Sequence, residues 1–420
     1  VRQPIMGTVT LILELGSLSF CWQFMKSSLC SLSLMLLALY CGSSTPAFAQ
    51  ANVSIGGVEL DSEAGVPGVL GDVDDDLEET DEDSKGDEQR RWEPVVAPLP
   101  SRNPVFGWML SVPAMLMYKP SFSEPDDKVW ISGLFGFYAE NESWGAGLLQ
   151  RMSFGGDRWR VMGALFHADM NYEYFGIGGE GDQSIVLDQD MDLFLVEALR
   201  RIAPNLYLGL RATYAETEVG PQLPEDILPP GFDPGRLTVD LTLATLAPRL
   251  QFDTRDNEFY PRSGFFIDAT AAVSREEIGA DLDYERYDAS MNHYLPIGDS
   301  GVVASRIAAQ YTSNDTPFFL YPAYGQGADL RGYQMGSYRD RFLVAAQAEY
   351  RHRFTERLGA AAFGGLGSVA PDFAGWENTL WSIGAGFRFV LAPKNDISLR
   401  VDIARGRDET VYYVGIGEAF

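Results

Sequence analysis

The sequence predicts an all-β protein, a transmembrane antiparallel β-barrel preceded by a disordered acidic segment. Three observations carry this expectation. From Gly107 to Phe420 the chain is built of segments, each about ten to fifteen residues long, that alternate apolar and polar residues with period two. No run in that region reaches the ~18 apolar residues of a membrane helix. An export signal stands near the start of the chain.

Taken in order, residues 1–24 lie upstream of a complete signal and are read as a start-site artefact. The signal peptide spans 25–49. Lys26 supplies the charge, "LCSLSLMLLALY" the apolar stretch, and Ala47-Phe48-Ala49 the small-residue site, with cleavage expected after Ala49. Cys21, Cys30 and Cys41 all precede that cut. The mature chain is therefore expected to hold no disulfide and no thiolate metal ligand. Residues 50–103 read as an acidic, proline-containing periplasmic linker. Residues 51–91 carry fourteen Asp/Glu against three Lys/Arg, which is −11 of the chain's net −27. Self-repulsion with few aromatics favours a solvated tether. Asp72, Asp74 and Asp76 invite comparison with a calcium loop. That pattern fails, with Leu77 where glycine is needed and Asp83 where glutamate closes the loop.

The barrel is expected over 104–420. In "NTLWSIGAGFRFVLAP", Trp381, Ile383, Ala385, Phe387, Phe389 and Leu391 share one face, with Ser382, Gly384, Gly386 and Arg388 on the other. "NDISLRVDIARGR" sets Leu399, Val401 and Ile403 against Ser398, Arg400, Asp402 and Ala404, and "RFLVAAQAEYRHRF" sends Gln347, Glu349, Arg351 and Arg353 to one side. A soluble sandwich also alternates, but with short strands and the apolar face inward. Here the strands reach the ~9–11 residues that cross hydrocarbon at a tilt. Full charges sit at strand centres, and aromatics crowd strand ends in "NYEYF", "NEFY" and "VYYV", as interfacial girdles do. The apolar face should then meet lipid and the polar, glycine-rich face the lumen.

Fifteen strands are legible, near 107–118, 129–140, 143–154, 157–172, 189–202, 205–217, 239–255, 264–274, 282–295, 301–313, 340–354, 357–369, 378–392, 395–407 and 410–420. A chain that enters and ends on the periplasmic side needs an even number. Sixteen are expected, the last hidden by prolines near 92–119. Short connections ("APKND", "FTER", "PIGDS", "NEFYPRSG", "IAPN", "SFGGDR") are assigned to the periplasm, and 173–188, 218–238, 314–339 and 369–378 to the outside. Tyr412, Val414, Ile416 and Phe420 share one face by parity, suiting a last strand that also serves as the signal read by the barrel-insertion machinery.

Several motifs carry a family likeness: "YEYFGIG" (172–178), "DTRDNEFYPRSGFFIDATAAV" (253–273), "LRGY" (330–333), "FGGLG" (363–367), "LRVDIA" (399–404) and the terminal "YVGIGEAF". In this order they resemble the bacterial surface antigen barrel of the BamA/TamA outer-membrane assembly superfamily. The resemblance implies sixteen strands, a weak pairing of the first and last, and Leu330, Arg331, Gly332 and Tyr333 at the tip of a long external loop folded into the lumen. A buried guanidinium without a partner would cost several kcal/mol. Glu349 and Asp402, on inward faces, are the candidate partners of Arg331. The family often has an acid at the third position of "FGGLG", where this chain has Gly365. No helix-plus-strand pattern of the family's periplasmic repeat domains fits the linker, so the barrel is expected to lack them.

Two functional readings follow. One is insertion, translocation or surface display of a protein or lipid client, with a periplasmic partner protein supplying client recognition. The other is a pore or structural barrel without a client. Arg351, Arg388 and Arg400 with Glu349 and Asp402 could line a channel or pack a plug. An enzyme is not expected. The histidines are His167, His293 and His352; a pairing such as His167 with Asp169 would share a strand face, but no nucleophile is placed with it. No cofactor or metal site is expected. Lipid of a Gram-negative outer membrane is the expected surrounding, and the acidity disfavours nucleic acid.

Overall fold

A computed structural model describes residues 53–55, 58–60, 92–96, 98–103, 106–177, 185–222, 237–325, 329–373, 379–392 and 396–420. The expected signal peptide, the upstream residues and the acidic centre of the linker lie outside these. A small antiparallel pair is formed by β1 (Val53–Ile55) and β2 (Val58–Leu60).

Everything else is one closed antiparallel barrel. Its strands are β3 (Trp92–Val96), β4 (Leu99–Asn103), β5 (Gly107–Tyr118), β6 (Trp130–Ala139), β7 (Trp144–Phe154), β8 (Trp159–Tyr174), β9 (Ile185–Ala203), β10 (Leu206–Pro221), β11 (Val239–Asp253), β12 (Gly264–Ser274), β13 (Tyr284–Ile297), β14 (Gly301–Thr312), β15 (Phe342–Arg353), β16 (Leu358–Ala370), β17 (Leu380–Ala392), β18 (Ile397–Arg405) and β19 (Thr410–Ile416). From β4 onward each pairs with the next, β3 pairs with β5 like β4, and β19 returns beside β4. Among the described residues no helix is long and apolar enough to cross a membrane.

The barrel has sixteen strands because β3 and β4 are one strand in two pieces. Both run along β5 in a single register, from Trp92↔Tyr118 through Val96↔Ala114 and Leu99↔Ser111 to Asn103↔Gly107. Pro98 falls at the interruption, where its missing N–H cannot join the ladder, and Pro94 and Pro100 flank it. The barrel therefore starts at Trp92 rather than at the expected boundary of 104. Prolines had masked the period-two pattern of the linker's last residues.

Alternation decides the faces. In β9 Leu187, Gln189, Met191, Leu193, Leu195, Glu197 and Leu199 are buried, while Asp188, Phe194, Val196 and Arg200 between them are exposed. One expectation fails on part of the barrel. The lumen wall built by β5, β6, β8 and β9 is apolar, with Met109, Met115, Met117, Phe135, Phe137 and Met162 buried in one cluster. Phe318, Phe319 and Met335 of the long β14–β15 loop pack against it. A strand apolar on both faces shows no contrast between lipid and lumen sides, so sequence alternation cannot separate them. Most buried charges belong to β10–β18, joined by Arg160 of β8 and Glu197 of β9.

Candidate functional site

The β14–β15 loop turns back into the barrel. Leu330, Arg331 and Tyr333 at its tip are each at most 1% exposed. Two left-handed residues make the reversal, Leu330 at φ 54° and Gly332 at φ 116°. At Gly332 a side chain is also excluded sterically. A Cβ there would lie 2.8 Å from the Gly406 nitrogen in the β18–β19 turn.

Arg331 reaches two carboxylates on opposite sides of its fork. Nη2 donates to Glu349 Oε2 of β15 and Nη1 to Asp402 Oδ2 of β18. The guanidinium lies 3.4 Å from the ring centroid of Phe363 on β16, a cation–π contact in a desolvated place. Glu349 and Asp402 are fully buried and shared. Glu349 Oε1 accepts from Arg351 Nε at 2.8 Å and Arg388 Nη2 at 3.3 Å. Asp402 Oδ1 accepts from Arg388 Nη1 at 2.5 Å, and Arg400 Nε stands 3.9 Å from Oδ2. Arg331, Glu349, Arg388 and Asp402 thus close a ring of alternating charge. Planar forks with two donors per side suit such sharing, which point-charge lysines would not.

Around the ring, main-chain and hydroxyl bonds fix the loop. Gly332 N donates to Tyr413 Oη at 2.7 Å, Tyr333 Oη to Trp381 O at 2.7 Å, and Gln334 N to Glu409 Oε1 at 2.7 Å. Arg306 Nε donates to Asp329 Oδ1 at 2.6 Å. Ser382 Oγ donates to Arg331 O, and Tyr338 Oη to Asp408 Oδ2. In the β18–β19 turn, burial pushes the Glu409 carboxyl up against the opposing bond from Gln334. Burial, together with the Asp408 carboxylate, raises the Tyr338 phenol.

Gly365 explains why no acid stands in the middle of "FGGLG". A Cβ there would meet Ala346 O and Gln347 Cβ at 2.8 Å and Leu330 Cδ1 at 3.1 Å. The space an acidic side chain would need is filled by Leu330, and Glu349 and Asp402 hold the arginine instead. Gly365→Asp is expected to lower the unfolding midpoint, by an overpacking cost of about 1–3 kcal/mol, rather than to strengthen the brace. A midpoint equal to or above the parent's would refute this.

The last strand departs from its expected face. Tyr412 is 61% exposed, but Ile416 is buried. At Gly417, φ 79°, the chain bends inward. Phe420 then packs among Tyr260, Phe266, Tyr294, Val302 and Ala304, and its main-chain oxygen accepts from Arg351 Nη2 at 2.7 Å. Tyr412, Val414, Ile416 and Phe420 therefore do not share one face. Parity holds only while the strand continues, and the glycine bend ends it. Glu418 follows inward, accepting from Arg388 Nε at 2.7 Å and lying 3.4 Å from Arg351 Nε.

Sequence reasoning missed a second buried ionic layer. Arg249 bridges Glu197 at 2.8 Å and Asp268 at 2.6 Å, and Arg211 reaches Glu197 at 2.6 Å. These residues alternate inward on β9–β12, so parity alone could have found them. His167 pairs with Asp192 across the ladder, Nδ1 to Oδ1 3.1 Å, rather than with Asp169 on its own strand. With Asp190 these donors lie within 4.8 Å of one another, on the exposed side of β8 and β9.

A family model described as the Omp85 superfamily domain matches residues 154–420. Among solved structures, BamA from Haemophilus ducreyi lacking POTRA domains 1–3 superposes with a TM-score of 0.52 at 14% identity, covering 75% of this chain and 67% of that one. CdiB from Escherichia coli gives 0.52 at 11% identity, covering 79% and 63%. At such identities the likeness is one of fold alone. The chain spans about two thirds of the length of these structures. No curated protein sequence matches.

Proposed function

The chain belongs to the Omp85 superfamily, and from that premise we propose that it acts in a Gram-negative outer membrane as a barrel for insertion, translocation or surface display of a protein or lipid client. One observation supports the reading above the rest. The barrel joint falls between the seven-residue β19, the shortest strand of the barrel wall, and a first strand split into two five-residue pieces. Fewer ladder bonds make that joint the cheapest place to part the wall sideways. In this reading Arg331 braces the plug while the seam works, the short turns face the periplasm, and residues 25–49 are the leader. A periplasmic partner supplies client recognition.

The test is a pair of cysteines, one within Leu99–Asn103 and one within Thr410–Ile416, introduced after Cys21, Cys30 and Cys41 are replaced by serine. Deleting the protein is expected to deplete a specific envelope protein or lipid. The oxidised, seam-locked variant should fail to restore it, and reductant should bring it back. Restoration by the locked form would sink the seam mechanism.

The client-free pore is disfavoured by a lumen filled from both sides, by the apolar wall under Phe318 and Phe319 and by the arginine–carboxylate layers. In planar bilayers the parent is expected to give no steady conductance, and deletion of residues 314–339 to open one. A steadily conducting parent would favour the pore.

A further inference from the structure

The bend at Gly417 and the plug loop share the same ions, and neither contact needs a client to be described. We propose that Glu418 to Phe420 form a lumenal latch on the end of β19, and that this latch is coupled to the plug loop through the carboxylates and arginines between them. Arg331 and the tail do not touch among the contacts described, yet two short paths join them. One runs from Arg331 to Glu349, on to Arg351 Nε at 2.8 Å, and from Arg351 Nη2 to Phe420 O at 2.7 Å. The other runs from Arg331 to Asp402, on to Arg388 Nη1 at 2.5 Å, and from Arg388 Nε to Glu418 Oε2 at 2.7 Å. Arg388 Nη2 to Glu349 at 3.3 Å ties the two paths together.

The coupling has a physical sign. Each carboxylate divides its oxygens between the plug arginine and a tail-holding arginine. With Arg331 in place, Glu349 and Asp402 are held with one oxygen toward the plug and the other toward Arg351 or Arg388. Withdrawing Arg331 frees both carboxylates to turn fully onto Arg351 and Arg388. Those arginines then have less need of Glu418 and the Phe420 oxygen, and their forks lose the orientation that aims them at the tail. Plug release therefore weakens the latch, and latch release weakens the plug. The tail carries a ring as well as charges. Phe420 sits in the pocket of Tyr260, Phe266, Tyr294, Val302 and Ala304, so a freed tail exposes an aromatic residue and leaves the end of β19 unanchored beside the joint. The device would keep the end of the last strand inside the barrel while the plug is seated.

The experiment uses the full chain in nanodiscs with Cys21, Cys30 and Cys41 replaced by serine. Ala419→Cys, 3% exposed in the parent, reports the tail, and Ser337→Cys reports the loop, each by its rate of reaction with a water-soluble maleimide. Arg331→Lys, which keeps the charge but loses the two-sided fork, is expected to speed labelling at 419 at least about fivefold, the low end of ordinary coupling. Glu418→Gln should speed labelling at 337 by the same factor, because coupling between two binding equilibria is reciprocal. Tyr338→Phe loosens the loop at Asp408 without removing a member of the ring, and should speed labelling at 419 clearly less than Arg331→Lys does. Unchanged labelling at 419 in Arg331→Lys overturns the proposal. Equal acceleration by Tyr338→Phe overturns it too, since that would mean general loosening.

Discussion

Arg331→Ala is expected to lower the stability of the folded barrel by about 3 kcal/mol, the low end for breaking one side of a buried ion pair. The low end applies because neither carboxylate is left bare. Glu349 keeps Arg351 and Arg388, and Asp402 keeps Arg388. Part of the loss is packing over Phe363, where the guanidinium carbon stands 3.4 Å from the ring centroid. The readout is the temperature at which the folded band in unheated gels converts to the unfolded one, together with the fraction that reaches the surface. Arg331→Lys should fall between parent and alanine, since a point charge can satisfy one carboxylate but not both. An alanine variant that folds, heat-converts and reaches the surface like the parent would show that Arg331 is not a brace.

Glu349→Gln is expected to cost more than Arg331→Ala, although it removes one charge and almost no volume. Glu349 accepts from three arginines, Arg331, Arg351 and Arg388. Its replacement leaves these three and Arg400 facing Asp402 and Glu418 in a buried site. An amide oxygen can still accept a bond, but it does not neutralise charge, and its NH2 points a donor at a donor. The expected loss is about 4–5 kcal/mol, the upper part of the range for an uncompensated buried charge. In the double variant with Arg331→Ala the losses should sum to clearly less than the two singles, because removing Arg331 relieves one of the repelling cations. Full additivity would place Arg331 and Glu349 in separate sites and contradict the shared ring.

Much of the site was legible because strand parity is local. Glu349, Arg351, Arg388, Arg400 and Asp402 are assigned to inward faces by period two alone, and an arginine between Leu330 and Gly332 in such a chain demands acids. The same rule would have found Glu197, Arg211, Arg249 and Asp268 had it been applied to β9–β12. It gave no warning of Gly417, where one backbone torsion ends the strand and carries Phe420 to the far wall of the lumen.

The amino-acid order by itself determined the fold class, the even strand count and the sidedness of most strands, since alternation, loop lengths and proline placement are properties of neighbours along the chain. Only the tertiary structure decided how Glu349 and Asp402 are shared between Arg331 and its neighbouring arginines, why position 365 holds no acid, that part of the lumen wall is apolar, and that the tail and the plug share one ionic network. Each of those depends on closing the barrel. Closure fixes the relative height of strands far apart in sequence, so that β15, β16 and β18 meet a loop tip and a chain end at one level, and no local pattern encodes that height.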